Sequence, residues 1–201
     1  MRLILAVLFV TVAMTGLSRP ATAATPAEQF IAENVQRGLT ILNDKQLSKV
    51  ERRTQFQEFL LSLTDIRLIA DYTLGQYRRT ATPDQLAAYE TAFKDYALAV
   101  YQGYFSKYTG QTLQVVGSTP PDDDETIVKT VMVDPKKGGK PLEVDFRVLN
   151  RAGHFLVVDF SVEGVWIREL ERSDFTSYLG QHGGNVSSLI QVLRNKTQQN
   201  G

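Results

Sequence analysis

The chain has 201 residues, with 22 basic and 22 acidic side chains, 43% hydrophobic residues and no cysteine. That length suits one ordinary domain. Without thiols there can be no disulfide framework, thiolate nucleophile or thiolate metal site, and two histidines leave little for an imidazole site. A balanced charge offers no clustered basic surface for phosphates, so no nucleic-acid partner is expected.

Residues 1–23 read as a cleaved export signal. Arg2 supplies a minimal positive start, Leu3 to Ala13 is almost continuously apolar, and Ala21-Thr22-Ala23 offers the small residues of a cleavage site. The apolar run is shorter than the roughly 20 residues that cross a bilayer, and no later stretch reaches that length. Removing the signal takes away Arg2 and Arg19 and no acid, so the exported chain holds two more acids than bases. A single domain over residues 24–201 is expected, beyond the inner membrane.

From Thr25 to about Tyr108 the apolar period is helical. Ile31, Val35, Leu39 and Leu42 fall on one stripe, and Phe56, Phe59, Leu60 and Leu63 on a second. Asp65 can cap a third helix running to Gly75, where a helix end needs a positive φ. Thr82-Pro83 then opens the longest helix, with Thr82 as N-cap and Pro83 in the first turn. Its stripe is aromatic, through Tyr89, Phe93, Tyr96, Val100, Tyr104 and Tyr108, and is expected to pack against a sheet.

Beyond Gln111 the period drops to two. Thr112 to Ser118, Thr126 to Asp134, Leu142 to Asn150 and His154 to Val162 read as four strands, joined by short Pro-, Asp- and Gly-rich segments that imply antiparallel hairpins. In the third strand Leu142, Val144, Phe146 and Val148 alternate with Glu143, Asp145 and Arg147, so one face is covered and the other at least partly wet. The fourth strand is apolar on both faces and should be central or covered twice. Glu163 to Tyr178 reads as helix, Gly183-Gly184 breaks it, and Asn185 can cap a last helix. The expected class is α+β: a four-stranded antiparallel meander wrapped by N-terminal and C-terminal helices, with an apolar cavity between sheet and helices.

Catalytic signatures are sparse. Asp122 to Glu125 is contiguous and lacks the glycine of a calcium loop, and Lys136 to Lys140 has neither the spacing nor the following helix of a phosphate loop. His154 and His182 stand in different elements, and Ser161 and Ser173 lack a nucleophile elbow. No metal, cofactor or catalytic residue is expected. Asp145 should lie outside the cavity. Asp159 is in register with Phe155 and Val157, and reads either as a buried acid paired with a tyrosine in a small α+β enzyme or as a structural acceptor for backbone N–H groups or Arg147.

Several motifs, taken in order, resemble one family. Ala70-Asp71-Tyr72-Thr73-Leu74-Gly75, Tyr77-Arg78 and Ala81-Thr82-Pro83-Asp84-Gln85 are followed by Tyr101 and Tyr108. Val144-Asp145-Phe146-Arg147, Val157-Val158-Asp159-Phe160 and Val162-Glu163-Gly164-Val165 come next, then Arg172, Phe175, Gly183-Gly184 and Leu189 to Leu193. Together they resemble the MlaC, or toluene-tolerance, family of periplasmic phospholipid-binding proteins over essentially the whole mature chain. Trp166 stands where that family usually has serine, and His154-Phe155 where it usually has Trp-Lys; a related branch accompanies hopanoid synthesis.

The resemblance implies a periplasmic carrier with no enzyme chemistry, whose cargo is phospholipid, or a hopanoid in the related branch. Its implied partners are an inner-membrane ABC transporter complex and an outer-membrane lipoprotein-porin complex. The expected lipid pocket lies between the sheet and the long helix, lined by Phe93, Tyr96, Val100, Tyr104, Val131, Val144, Phe146, Val148, Phe160 and Trp166. Among the exposed basic residues Arg52, Arg53, Arg78, Arg79 and Arg172, the pair Arg78 and Arg79 is the expected partner or head-group contact.

Overall fold

The computed structural model describes residues 23–105, 108–136 and 139–200, with side chains at all of these except 101–105 and 200. Of the expected export signal, 1–23, residues 1–22 lie outside the described residues. In chain order come α1 (Pro26–Asn43), α2 (Lys49–Ser62), α3 (Ile66–Leu74), a 3-10 turn (Gly75–Arg79) and α4 (Pro83–Phe105). Strands β1 (Thr112–Ser118), β2 (Glu125–Val133), β3 (Leu142–Arg151), β4 (His154–Val162) and β5 (Val165–Trp166) follow, then α5 (Ile167–Gln181) and α6 (Val186–Asn200). None of the described helices is long and apolar enough to cross a membrane.

The helices begin where side chains can take up orphan N–H groups. Thr25 with Glu28, Ser48 with Glu51 and Thr82 with Gln85 form reciprocal capping boxes. Asp65 Oδ1 accepts from the Leu68 N–H at 3.1 Å, and Asn185 Oδ1 from that of Ser188 at 3.2 Å, as the sequence leads one to expect. Gly75 ends α3 at φ +56°, and a Cβ there would stand 2.9 Å from Thr176 Cγ2 of α5. It therefore meets two demands, a left-handed backbone and close helix packing.

The sheet is an antiparallel meander in the order β1-β2-β3-β4-β5. The expected fold class holds, with five strands instead of four. Val162 pairs with Val165 across Glu163 (φ +50°) and Gly164 (φ +80°), so these two residues form a tight hairpin turn, not the start of a helix. Ala152 and Gly153, also at positive φ, make the matching turn between Arg151 and His154. β5 covers only the Ser161–Val162 end of β4; farther along, the Val157 N–H donates to the Leu63 carbonyl at 2.8 Å. The turn between α2 and α3 thereby blunts an edge that would otherwise invite pairing.

Two apolar clusters hold these layers. In one, α1 lays Ala27 and Ile31 against Val128 and Val148, with Phe30, Val35, Val115, Phe146, Phe155 and Val157 packed around them. The other is all helical: Leu74, Tyr89, Phe93, Phe175, Leu179, Leu189 and Leu193 join α3, α4, α5 and α6. Phe175 meets the rings of Phe93 and Tyr96 edge-on, at 6.4 and 6.2 Å. The aromatic stripe of α4 thus packs within a helical bundle over this stretch, where the sequence suggests a sheet.

Gly75→Ala should lower the free energy of unfolding by about 2 kcal/mol, since alanine adds both φ strain and a clash with Thr176. A reduced urea midpoint at unchanged slope would show it; an unchanged midpoint would mean that the α3–α5 approach is not fixed here.

Candidate functional site

Strand register decides which side chains share a face. Val144 pairs with Thr130 and Val162, Phe146 with Val128 and Phe160, and Val148 with Thr126 and Val157. Leu113 faces Met132 on the same side, which pairs with Leu142. One face of the sheet is therefore apolar apart from Ser118, Thr126, Thr130 and Asn150. Thr130 is buried with its hydroxyl donating to the Val144 carbonyl, so it adds no unmet polar group.

This face is unevenly covered. Near α1, Val128 and Val148 are 0% and 1% exposed, and Val144 is 7% exposed. Leu113, Met132, Leu142, Phe146, Phe160 and Val162 are only half-buried. The sheet continues as an apolar wall past the helix that closes its first part. Large apolar side chains left half-covered side by side on one face are the kind of surface that an apolar ligand can use.

The ten residues expected to line the pocket do not all reach this wall. Val144, Phe146, Val148 and Phe160 lie on it. Val131 pairs with Gln114 and Glu143, and Trp166 with Ser161, which places both on the opposite face. There the Arg147 guanidinium stands 4.7 Å from the centre of the Trp166 ring, a cation–π contact. Phe93 and Tyr96 belong to the helical cluster. Val100 is half-buried farther along α4, and the side chain of Tyr104 lies outside the described residues. Leu113, Met132, Leu142 and Val162 complete the wall; period-two alternation marks each within its own strand, but only cross-strand pairing puts them together.

Asp159 occupies the face away from the wall. A bulge at Val158 shifts the register, so that Arg147 pairs with Asp159 and Val148 with Val157. One extra residue reverses the direction that simple alternation with Phe155 and Val157 predicts. Asp159 Oδ1 accepts from the N–H groups of Phe160 and Arg168 at 2.8 and 2.9 Å. Trp166, the N-cap of α5, makes no side-chain cap, so Asp159 caps the helix from the neighbouring strand. This is the structural-acceptor role, with Arg168 of α5 as the ion partner.

Burial pushes the Asp159 carboxyl above its ordinary value, against the pull of the Arg168 N–H and guanidinium, the Phe160 N–H and Arg147. Its ion pair with Arg168 Nε spans 3.8 Å, too long to offset the lost hydration. One turn along α5, burial and the nearby Asp159 and Asp174 push the Glu171 carboxyl up to about 8, with Lys196 opposing. Tyr89, buried with its hydroxyl 2.8 Å from Thr73 Oγ1, is also held protonated by burial.

The basic residues separate by role. Arg78 Nε pairs with Asp71 at 2.8 Å, Arg52 donates to the Leu47 carbonyl and Arg172 to that of Tyr72. Arg53 is exposed. Arg79 lines an open groove of about 710 Å³ with Gln76, Tyr77, Thr80, Gln85, Gly180, Gly183 and Gly184. Gln85 is in the first turn of α4, whereas the far end of α4 leads into β1. Groove and apolar wall are therefore built from separate parts of the fold.

Fold and wall define a class: an α+β protein whose sheet presents an apolar face that its own helices cover only in part. The family model described as MlaC protein matches residues 32–195, and the chain belongs to that family. Its fold is shared by the phospholipid-binding protein from Ralstonia solanacearum, whose structure was determined in complex with a phospholipid. The two are 23% identical, with a TM-score of 0.75 over 86% of this chain and 97% of that one.

Glu171→Gln should stabilise the protein at neutral and higher pH. A carboxyl whose folded pKa is about 8, against 4.5 ordinarily, contributes its full stability below pH 4.5 and loses it as pH rises through 8. The loss is roughly 2–4 kcal/mol, trimmed by water that reaches this half-buried side chain. Urea titrations at pH 5 and pH 9 should show the wild type weakening relative to the glutamine variant; parallel curves would contradict the assignment.

Proposed function

We propose that this protein is a lipid carrier that encloses acyl chains against the half-covered apolar face of its sheet. The observation that carries the reading is the run from Val144 and Phe146 through Phe160 to Met132, Leu142 and Val162, which faces inward yet stays only partly covered toward its far end. The size of the effect explains why such a wall is needed. A buried methylene is worth about 0.8 kcal/mol, so an acyl chain of roughly 16 carbons held in water would cost on the order of 12 kcal/mol. An apolar wall comparable to the bilayer interior makes transfer nearly neutral, leaving direction to coupled partners.

Family membership and the fold shared with a phospholipid-bound protein favour phospholipid as cargo. Trp166 and its Arg147 contact lie on the other face, so replacing the usual serine leaves the wall as it is; this favours glycerophospholipid over a hopanoid. Among the described residues the wall carries no acid aimed across it, and Asp159 caps a helix; carriage in this reading involves no bond-making. In this reading residues 24–201 form one lipid-binding domain, exported by the segment before it and active in the periplasm between an inner-membrane ABC transporter and an outer-membrane lipoprotein-porin complex. Arg79, in its open groove, serves a partner, not the head group of lipid on the distant wall, and Arg78 holds α3 through Asp71.

Protein purified without detergent should yield phospholipid on extraction and mass spectrometry. Recovery of lipid-free protein that also takes up no pyrene-labelled phospholipid from vesicles would overturn the carrier reading. Phe160→Glu should reduce bound lipid at least tenfold, since a carboxylate on the wall costs several kcal/mol against a hydrocarbon chain, while Glu at the exposed Leu170 should leave loading unchanged. Equal loading by the two variants would remove this face from the site.

A further inference from the structure

The apolar wall ends in a polar row. Its last apolar row is Leu113, Met132 and Leu142. Continuing the two strand registers by two residues sets Gln111 opposite Asp134 and Asp134 opposite Lys140, and Gln111 Nε2 donates to Asp134 Oδ2 at 3.0 Å. Lys136 and Lys140 are exposed at this end, and neither forms an ion pair with a described carboxylate. The nearby acids are already engaged: Asp134 Oδ1 accepts from the Lys136 N–H at 2.9 Å, and Glu163 Oε1 from that of Glu143 at 3.1 Å. The opposite end of the wall is closed. Ala27 and Ile31 of α1 cover Val128 and Val148, and the Thr25 hydroxyl lies 3.4 Å from that of Ser118.

We propose that this row is a phosphate site, where Lys136 and Lys140 hold the phosphodiester of a phospholipid whose acyl chains lie on the wall. The inference rests on the carrier reading and adds where the head group sits. A phosphate buried without partners is far costlier than a neutral polar group, so the lipid lies with its polar end at the edge that water reaches. Of the two ends of the wall, only the one beyond Met132 and Leu142 is half-covered. A two-residue step along a strand is about 7 Å, which brings the lysines next to the last apolar row, where glycerol and phosphate follow the chains. An ammonium binds phosphate as a point charge and needs no cradle of backbone N–H groups, in keeping with a hairpin that lacks phosphate-loop spacing. Such a pair reads the phosphate itself, and an otherwise identical lipid without one gains nothing from it.

The test uses lipid-stripped mature protein and cyclodextrin complexes of pyrene-labelled phosphatidylglycerol or of pyrene-labelled diacylglycerol with the same chains. Lys136→Glu combined with Lys140→Glu should weaken phosphatidylglycerol binding about five- to tenfold, less so at high salt, and leave diacylglycerol binding unchanged, which also shows that the variant folds. A charge-matched control, Arg151→Glu with Arg194→Glu, alters exposed residues at the other end of the sheet and on α6 and should change neither. Unchanged phosphatidylglycerol binding in the lysine variant, an equal loss for both lipids, or an equal loss in the control overturns the phosphate site alone. Inorganic phosphate by itself should give no binding heat; saturable binding that the lysine variant lacks would make free phosphate the ligand and overturn the head-group assignment. Failure of the wild type to take up either lipid overturns the carrier reading and this site with it.

Discussion

A carboxylate taken out of water loses several kcal/mol of hydration unless polar groups replace it, and at Asp159 that requirement determines how the sheet meets the helices. The groups that answer it are two backbone N–H donors, one from β4 and one from α5. Because α5 starts at this contact, so does the layer attached to it: α3 through Tyr72, and α4 and α6 through Phe175 and Leu179. The bulge at Val158 is the local condition for the contact, since without it Asp159 would point into the apolar wall.

This polar junction accounts for the presence of two apolar clusters in so short a chain. One belongs to α1 and the sheet, the other to four helices, and the contact between β4 and the start of α5 is polar. A single continuous core would bury more area, but it would also close the wall. Separate cores let each layer be stable while the sheet keeps half-covered apolar surface where the helices part from it. The cost of that surface in water is what makes a lipid chain a fitting occupant.

The length of α4 separates the two kinds of chemistry. At 1.5 Å per residue its 23 residues span about 34 Å, from the open groove beside Arg79 to the segment that enters β1. A partner held at the groove would leave the wall free. The split between neighbouring arginines fits the same plan. Arg78 is committed to Asp71 within the fold, while Arg79 faces the open groove.

The sequence by itself determined those features that depend on neighbours along the chain. The cap at Thr82, the caps at Asp65 and Asn185, the glycine end of α3, and the alternation of β3 are local, because each joins groups within a few residues. They were enough for the α+β class and for four of the wall residues, Val144, Phe146, Val148 and Phe160. The tertiary structure decided what depends on pairing across the chain. Alternation says that Val131 and Val144 each have an inward or outward side, but only strand register shows that the two lie on opposite faces. A one-residue bulge reversed Asp159, a tight turn at Glu163-Gly164 put Trp166 in a strand, and helix packing claimed Phe93 and Tyr96 for a second core. Such outcomes rest on contacts between residues far apart in sequence, and no periodicity within one segment encodes them.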